Sequence, residues 1–313
     1  MPGSSRIRIT VIGSVNVDIC GRPAAAFVPG DSNPGTVTTA LGGVGANIAR
    51  DLRQLGGEVR LITALGGDLY GKLAEEQLAR EGLDLSSALR VPGARSSTYL
   101  YITDEAGDMR AAVADMKIQE RLTPEFLETC LPAIEAGDGL VVDANLSEAS
   151  LRYVCARVSV PIFADGVSAA KVNRLKSVLP RLQALKLNRI EAERLTGLSL
   201  ETRADLDEGV KALRALGLRR GCVTLGAEGA LDWDESEAWF IPPVAPDKLV
   251  NTTGAGDAFT AGFIWSLLSG AKGRDAAEFA TCAASVALES DQAVNPDLSA
   301  ARVRERRNEQ IKR

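Results

Sequence analysis

Short apolar segments alternate with longer amphipathic segments along most of the chain. The apolar segments are rich in Val, Ile and Leu, and each ends in Gly, Asn or Asp, as buried strands do before a turn. The predicted strands are Ile7–Gly13, Val59–Gly66, Gly139–Asn145, Val160–Gly166, Ala184–Asn188 and Gly221–Gly226. The segments between them have the spacing of helices with one apolar face. The predicted helices are Gly45–Leu55, Leu69–Glu81, Pro124–Ala136, Ser147–Val158, Arg189–Thr196 and Asp205–Leu216.

This alternation predicts an α/β fold in which helices cover both faces of a mostly parallel sheet. Sheets of this kind bind ligands beyond the carboxyl ends of their strands. Polar residues collect at those predicted ends, namely Asn16, Asp18, Asp143, Asn145, Asp165 and Asn188. The sequence therefore predicts a binding site at this edge of the sheet.

Two segments depart from the alternation. Ser97–Lys117 has two extended arms around the turn DEAGD, which indicates a hairpin, whereas Val15–Gly43 is rich in Pro and Gly and lacks a helical period. We predict that they pair as a small antiparallel β lid over the strand ends. The lid segments, approximately 15–41 and 95–118, are then inserted in a single domain that spans residues 1–313.

The composition excludes several functional classes. The net charge is −5, so the chain lacks the basic surface of a protein that binds nucleic-acid polymers. It contains no histidine, which excludes an imidazole base, a Ser-His-Asp triad and a histidine-ligated metal. The sequence has neither an apolar run that could span a bilayer nor the apolar segment of a signal peptide, so we expect no membrane association. The five cysteines lie far apart and predict free thiols in a reducing compartment, the cytoplasm.

The carboxyl-terminal segment ARVRERRNEQIKR is a run of charged residues. We interpret it as the solvated end of a helix. On this interpretation its cations lie near the negative pole of the helix dipole and face water.

The segment Thr253–Gly256 places small residues directly before Asp257 and a predicted apolar helix, Asp257–Leu268. Free N–H groups and the helix dipole attract anions to the start of a helix, and small residues let an anion reach the backbone. The alternative is that Asp257 is a simple helix cap, a position that Asp favours. However, a cap needs no small residues before it. The combination favours an anion hole next to a general base, as phosphoryl transfer requires.

Four motifs resemble, in the right order, the ribokinase-like (PfkB) family of carbohydrate kinases. They are VIGSVNVDI, GGVGANIARDLRQLGG, KLNRIEAERLTG and NTTGAGDAFTAGF, which begin at Val11, Gly42, Lys186 and Asn251. The resemblance covers nearly the whole chain and implies a three-layer sandwich with a mostly parallel central sheet and a small antiparallel β lid. The sequence contains neither a Walker A motif nor GxGxxG, which disfavours P-loop and Rossmann dinucleotide folds.

The resemblance implies a catalytic role for Asp257, which matches the base that deprotonates the acceptor hydroxyl. The residues that match the anion hole for the phosphoryl group are Gly254, Ala255 and Gly256. The residues that match the ATP site are Asn188, Thr224, Gly226, Gly229, Thr253 and Gly256. Glu191 matches the acid that positions Mg²⁺ through water, and a surface helix charge is the alternative for this residue.

On the acceptor side, the resemblance implies that a sugar is held at the ends of the first strands. The matching residues are Ser14, Asn16, Asp18, Gly42, Gly43 and Asn47. The two glycines allow close approach and the Asn47 amide offers a donor and an acceptor, although an ordinary tight turn is the alternative for the glycines. Many relatives have an acid in place of Asn251, where a loop helps to bind a monovalent cation. We therefore expect any K⁺ site to be weakened.

Short segments outside these motifs bear on the acceptor. DSNPG, ADMKI, DGVSAAK and NPDLS, which begin at Asp31, Ala114, Asp165 and Asn295, resemble the family members that phosphorylate pseudouridine. The expected reaction is ATP-dependent phosphorylation of the 5′-hydroxyl of pseudouridine. The alternatives are a kinase for ribose, adenosine or a sugar acid, and a non-catalytic nucleoside-sensing protein on the same fold.

Pseudouridine carries an extra N1–H donor on its ring edge, so an enzyme that selects it needs an acceptor there. The polar lid residues available are Asp31, Asn33, Asp115 and Lys117. Asn33 is the favoured reader of the base because an amide can meet both a ring N–H and a carbonyl, although DSNPG could be only a turn. We also expect that the lids of two chains pair and that the protein is a homodimer.

Overall fold

The computed structural model describes residues 6–312, over which strands and helices alternate. The strands in this range are β1 Arg8–Ile12, β2 Asn16–Pro23, β3 Gly35–Gly42, β4 Glu58–Ile62, β5 Ala64–Gly66, β6 Leu89–Val91, β7 Thr98–Thr103, β8 Met109–Asp115, β9 Gly139–Asp143, β10 Ile162–Asp165, β11 Ala184–Asn188, β12 Gly221–Thr224, β13 Ala230–Trp233 and β14 Ala238–Ile241. The helices are α1 Val44–Gln54, α2 Leu69–Arg80, α3 Pro124–Glu135, α4 Glu148–Arg157, α5 Arg189–Thr196, α6 Arg203–Ala215, α7 Ala255–Leu268, α8 Asp275–Ala287 and α9 Ala300–Lys312.

The central sheet has eight strands in the order β14-β13-β12-β11-β10-β9-β1-β4. The strands from β12 to β4 are parallel, and the β13–β14 hairpin adds an antiparallel edge. Every residue of β9 is buried, as expected for a strand that is covered on both faces. One apolar cluster includes α3 to α6, and a second includes α1, α2, α7 and α8. The predicted α/β architecture is confirmed.

All the predicted strands and helices are present, but some boundaries differ. The segment predicted as one strand at Val59–Gly66 is divided, because β4 joins the central sheet whereas β5 pairs with β6 in a separate two-stranded sheet. The β13–β14 hairpin is an element that the sequence pattern does not predict. Helix α7 begins at Ala255 rather than at Asp257, so two of the small residues belong to its first turn.

The lid is a four-stranded sheet in the order β3-β2-β7-β8. Its two hairpins, β2–β3 and β7–β8, are antiparallel, and β2 pairs with β7 in parallel orientation. Every residue of β8 and most residues of β3 are exposed. The lid therefore has edge strands that contact little else in the chain.

The carboxyl-terminal charge run forms most of α9, but the expectation that its arginines face water is wrong for Arg306. This residue is only 5% exposed. Its guanidinium is buried because it has acceptors on neighbouring elements, among them Ser285, Asp247 and Glu289. A buried arginine needs such partners to offset the loss of its hydration.

No helix in the described part of the chain is both long and apolar enough to cross a membrane. The five cysteines are unpaired, and four of them are buried. Their positions match the free thiols that the spacing predicts.

Candidate active site

Helix α7 begins without a side-chain cap. Its N-cap residue, Gly254, has φ 83°, and no side chain within residues 6–312 caps the N–H groups of the first turn. A Cβ on Gly254 would lie 1.8 Å from the carbonyl oxygen of Ala293, so only glycine fits at this position. Asp257 lies within the first turn rather than at the cap, which excludes the capping interpretation. The N-terminal end of α7 is therefore open to an anion.

The carboxylate of Asp257 is half-buried beside this helix start. The side-chain amide of Asn47, on α1, donates a 2.8 Å hydrogen bond to its Oδ2. Burial and the nearby Asp165 carboxylate raise the pKa of Asp257 to about 7, against the hydrogen bond from Asn47 and the charge of Lys186, which lower it. A carboxyl group with a pKa near neutrality is well matched to accept a proton from a hydroxyl.

Lys186 lies beneath the anion turn, the residues Gly254–Gly256 that precede Asp257, and the motifs predict no role for it. It is a buried residue of β11, and its Nζ lies 3.4 Å from Oδ2 of Asp165. A Cβ on Gly256 would lie 3.2 Å from the same Nζ. Burial lowers the pKa of Lys186, but the carboxylates of Asp165, Glu191 and Asp257 raise it above the ordinary value, so the ammonium stays charged. A charged residue within the apolar run ALKLN is the sequence signal that could have identified it.

The predicted sugar-binding residues meet where β2 and β3 leave the core. Asn16 donates a 2.5 Å hydrogen bond from Nδ2 to Oδ1 of Asp18, and it pairs in register with Gly42. A Cβ on Gly42 would lie 2.2 Å from Oδ2 of Asp18. Glycine therefore makes room for this carboxylate, which argues against a mere tight turn. Burial raises the pKa of Asp18 to about 6.

The neighbouring Gly43 is the N-cap of α1 and has φ 104°. A Cβ there would lie 2.5 Å from the carbonyl oxygen of Ser14. This close approach brings the start of α1, and with it Asn47, next to the end of β1. The Oδ1 atom of Asn47 is buried and has no hydrogen-bond partner within residues 6–312.

Ser14 is held in a polar network rather than presented as a free hydroxyl. Its Oγ donates to Oδ2 of Asp143 at 3.3 Å and accepts a 2.9 Å bond from Nδ2 of Asn145. Lys171 completes the network by donating from Nζ to Oδ1 of Asn145 at 2.5 Å. The structure thus brings together the polar ends of β1 and β9, as the sequence predicts.

The structure does not bring Asn33 to the sugar-binding residues of its own chain. Asn33 lies in the loop between β2 and β3, beyond the Pro23–Gly35 pair at the far end of the lid. Along β2, Pro23 is seven positions from Asn16. At ~3.3 Å per residue this is about 23 Å along the strand. The amide of Asn33 bonds instead within its own loop, accepting from the N–H of Val28 and donating to its carbonyl.

The remaining lid residues also differ from expectation. Asp31 accepts a bond from the N–H of Ser32 in the same distal loop. Asp115 pairs in register with Thr98, which in turn pairs with Val17, so the three side chains share one face of the lid. Because neighbouring side chains of a strand point to opposite faces, Asp18 lies on the other face. Lys117 follows β8, and its backbone N–H donates to Asp115.

Two tyrosines that the sequence interpretation overlooked share the face of Asp18. Tyr99 pairs directly with Asp18, and Tyr101 is two positions further along β7. Their ring centroids are 5.6 Å apart. Alternation along a strand predicts this placement once the register is known, but the sequence alone does not give the register.

On the other side of Asp257, Asn188 caps α5 in a reciprocal capping box. Its N–H and Nδ2 donate to the carboxylate of Glu191 at 2.9 and 2.7 Å, while its Oδ1 accepts from the N–H of Glu191. Glu191 is 1% exposed, which excludes the surface-charge alternative. Burial raises its pKa, against the charge of Lys186.

A cavity of about 600 Å³ lies beside the anion turn. Of the predicted ATP-binding residues, it is lined by Thr224, Gly226, Gly229 and Gly256. Its walls are mainly apolar and are formed by residues such as Val244, Leu249, Phe259 and Leu288. An apolar slot that ends at an open helix N-terminus suits a flat aromatic base that carries phosphates.

The profile of the family described as pfkB family carbohydrate kinase matches residues 6–300. The chain belongs to this family. It is 35% identical to the pseudouridine kinase of Escherichia coli (strain K12) over 297 residues, which are 94% of this chain and 95% of that protein. Among solved structures it is similar to a carbohydrate kinase from Agrobacterium tumefaciens, with a TM-score of 0.85 and 31% identity over 96% of this chain and 97% of that chain. The ribokinase of Arabidopsis thaliana, complexed with ribose and ATP, has the same fold at 24% identity, with a TM-score of 0.87 over 97% and 99% of the two chains.

Membership of the pfkB family makes the chain a carbohydrate or nucleoside kinase and confirms the ribokinase-like fold. Two of the four motifs that resemble the family, GGVGANIARDLRQLGG and NTTGAGDAFTAGF, build the start of α1 and the start of α7 and are called the signature segments below. In the loop before α7, Asn251 donates from Nδ2 to the carbonyl of Asp291 at 3.2 Å and accepts from the N–H of Thr253 at 3.0 Å. Its neutral side chain thus stabilises the loop before α7 through two hydrogen bonds.

Proposed function

We propose that the protein is an ATP-dependent pseudouridine kinase, which transfers the γ-phosphoryl group of ATP to the 5′-hydroxyl of pseudouridine and yields pseudouridine 5′-phosphate. The observation that carries this proposal is the position of Asp257. It lies in the first turn of α7, next to Gly256, which lines the apolar cavity. Asp257 also accepts a hydrogen bond from Asn47 on α1, a helix whose N-cap residue directly follows the Gly42 that pairs with Asn16. The 35% identity to the Escherichia coli pseudouridine kinase over 94% of the chain supports the choice of acceptor.

In this proposal Asp257 takes the proton of the attacking hydroxyl. The N–H groups of Ala255 and Gly256 stabilise the charge that spreads over the transferred phosphoryl group. Lys186 adds a fixed positive charge directly behind Gly256. The cavity binds the adenine and ribose of ATP, with the triphosphate directed towards α7.

The acceptor sugar is proposed to lie against Asn16, Asp18 and Gly42, where two carboxylate oxygens and an amide can bond its hydroxyls. Asn47 has two roles in this arrangement. Its Nδ2 orients Asp257, and its buried Oδ1 has no partner within residues 6–312 and can accept from a sugar hydroxyl. Ser14 supports the site by holding Asp143 and Asn145 in place.

The base of the nucleoside is proposed to rest on the face of the lid that carries Tyr99 and Tyr101. Aromatic rings stack well on nucleobases, at ~1–3 kcal/mol for each base. Of the polar residues first considered, Asn33 lies far from this face in its own chain, so any contact from it requires a second subunit. The opposite face of the lid exposes Val37, Leu100 and Val113 and supports the proposed homodimer.

Mg²⁺ is proposed to be held through water by Glu191, since Mg²⁺ usually keeps several waters and uses one or two carboxylates with substrate phosphates. The described residues contain no cluster of three acidic or cysteine side chains that could hold an ion directly. The metal offsets the charge of the phosphates when it is bound. Any K⁺ site at Asn251 is proposed to use backbone carbonyls and to activate the enzyme only modestly. The unpaired cysteines favour a cytoplasmic location.

A coupled ADP-release assay with pseudouridine, uridine, adenosine and ribose tests the proposal. We expect kcat/KM for pseudouridine to exceed that for uridine by up to ~10⁴-fold, because a site built for the N1–H donor leaves its acceptor unpaired with uridine. 5′-Deoxypseudouridine should bind without being phosphorylated. Equal use of pseudouridine and uridine, or better use of ribose, would make the chain another pfkB kinase. Nucleoside binding without turnover would make it a sensor.

A further inference from the structure

Arg306, on α9, connects three parts of the structure through one buried guanidinium. Its Nη1 donates to Oγ of Ser285, on α8, at 2.8 Å and to the carbonyl of Ala245 at 3.4 Å. Its Nη2 donates to Oδ2 of Asp247 at 2.8 Å and to Oε1 of Glu289 at 2.7 Å. The planar fork of arginine is suited to hold several acceptors in fixed directions.

Two of the acceptors of Arg306 belong to residues that line the cavity beside α7. Ala245 lies in the segment 243–249, which forms one wall, whereas Ser285 lies on α8, which forms another, and both residues line the cavity. Glu289 strengthens the connection because its Oε1 also accepts the N–H of Asp247 at 2.8 Å. Arg306 therefore bridges the two walls from behind.

We propose that Arg306 is a positioning residue for the nucleotide, and that α9 sets the width of the cavity through it. This inference rests on the proposed function, in which the cavity binds ATP. Without the guanidinium, the segment 243–249 loses its bonds to α9 and keeps the bond from the N–H of Asp247 to Glu289, which follows α8. The adenine slot then becomes wider and less ordered, so ATP binds more weakly, whereas the residues around Asp18 and Asn16 are unaffected.

Arg307 provides a matched control on the same helix. It also pairs with carboxylates of α8, Asp275 and Glu278, but neither of these residues is among those that line the cavity. If ATP binding depends on how α9 packs against α8 in general, variants of both arginines should weaken it. If it depends on the cavity walls, only variants of Arg306 should weaken it.

The test compares Arg306→Ala and Arg307→Ala with the wild type, by steady-state KM for ATP and for pseudouridine and by calorimetric binding of a non-hydrolysable ATP analogue. Arg306→Ala should raise KM for ATP and Kd for the analogue by about 5- to 100-fold, a usual range for coupling between sites, with little change in KM for pseudouridine. Arg307→Ala should leave all three within about twofold, because its ion pairs are partly exposed to solvent and its partners do not line the cavity. Equal effects of the two variants, or equal loss for both substrates, would overturn the proposal.

Asp247→Asn keeps the test decisive if Arg306→Ala does not fold. The Asp247 side chain is 70% exposed, so its replacement removes a charged partner from the 243–249 wall without opening the core. Like Arg306→Ala, it should raise KM for ATP, and it should leave the melting temperature unchanged. An unchanged KM for ATP would overturn the proposal. A wild-type protein that neither binds the analogue nor uses ATP would instead contradict the proposed function, before any variant is compared.

Discussion

The amide of Asn47 donates a 2.8 Å hydrogen bond to the carboxylate of Asp257, across 210 positions of sequence. The bond joins the start of α1 to the start of α7, the two helices that the signature segments build. It fixes the orientation of the carboxylate that we propose as the base, and it partly opposes the rise in the pKa of Asp257 that burial causes. One residue therefore controls both the geometry and the protonation of the other.

The pKa of Asp257 predicts how activity depends on pH. The pKa is raised to about 7, and the carboxylate must be ionised to accept a proton. Activity is therefore full above this value and is lost as the pH falls through it. We expect kcat/KM for the acceptor to rise up to about tenfold per pH unit below pH 7 and to level off above it. A profile that stays flat between pH 5.5 and 8 would contradict the assignment.

Replacement of Lys186 by Met should move the acid limb of that profile to higher pH. The ammonium of Lys186 lowers the pKa of Asp257, so its removal makes the base harder to ionise. Lys211→Met, at an exposed residue that pairs with Glu208, is the control and should leave the limb in place. The melting temperature of both variants separates an electrostatic effect from unfolding. A limb that does not move, in a folded Lys186 variant, would remove the lysine from the electrostatics of the site.

Gly254 and Gly256 should respond differently to substitution. A Cβ on Gly254 meets the carbonyl of Ala293 at 1.8 Å in a backbone of φ 83°, so Gly254→Ala should lower stability by roughly 1–3 kcal/mol or more. Apart from α7 itself, a Cβ on Gly256 has as its one close neighbour within residues 6–312 the flexible end of Lys186. Gly256→Val should therefore fold and bind the nucleoside but lose phosphoryl transfer, because its side chain blocks the backbone N–H groups. Thermal unfolding and calorimetry of both variants give the comparison, and a Gly256→Val protein with normal turnover would contradict the anion hole.

Asp51 predicts a pH-dependent change in stability. It is fully buried on α1, neither of its oxygens has a partner within residues 6–312, and burial followed by repulsion from Asp257 raises its pKa well above the usual value. Because the pKa is higher in the folded state than in the unfolded state, stability is lost as the pH rises from near 4 through the folded pKa. Asp51→Asn should remove this loss, which amounts to ~1.4 kcal/mol for each pH unit that separates the folded pKa from the unfolded pKa. Urea unfolding should show that Asp51→Asn increases the free energy of unfolding, relative to the wild type, more at pH 8 than at pH 5. An equal or smaller increase at pH 8 would show that Asp51 is ionised.

The sequence was sufficient for the elements whose pattern is local. The apolar runs of β1 and β9 and the small residues before Asp257 are visible without the structure, and they predicted the sheet and the place of the site. The position of Asn33 could not be predicted, because it depends on the length and register of the β2–β3 hairpin. The burial of Arg306 could not be predicted either, since its acceptors lie 17 to 61 positions away in the chain. Within a charge run, only tertiary partners distinguish a buried arginine from an exposed one.

The most direct test of the account is single-turnover phosphoryl transfer by Asp257→Asn, together with calorimetric binding of the acceptor. Asn keeps the size of the side chain and can still bond to Asn47, but it cannot accept the proton. With the nucleoside on which the wild type is most active, we predict that acceptor binding stays within a few-fold and that the rate of transfer falls by roughly 10²–10⁴, as the loss of a general base requires. Near wild-type transfer by a correctly folded Asp257→Asn protein would contradict the central claim that this carboxylate is the catalytic base.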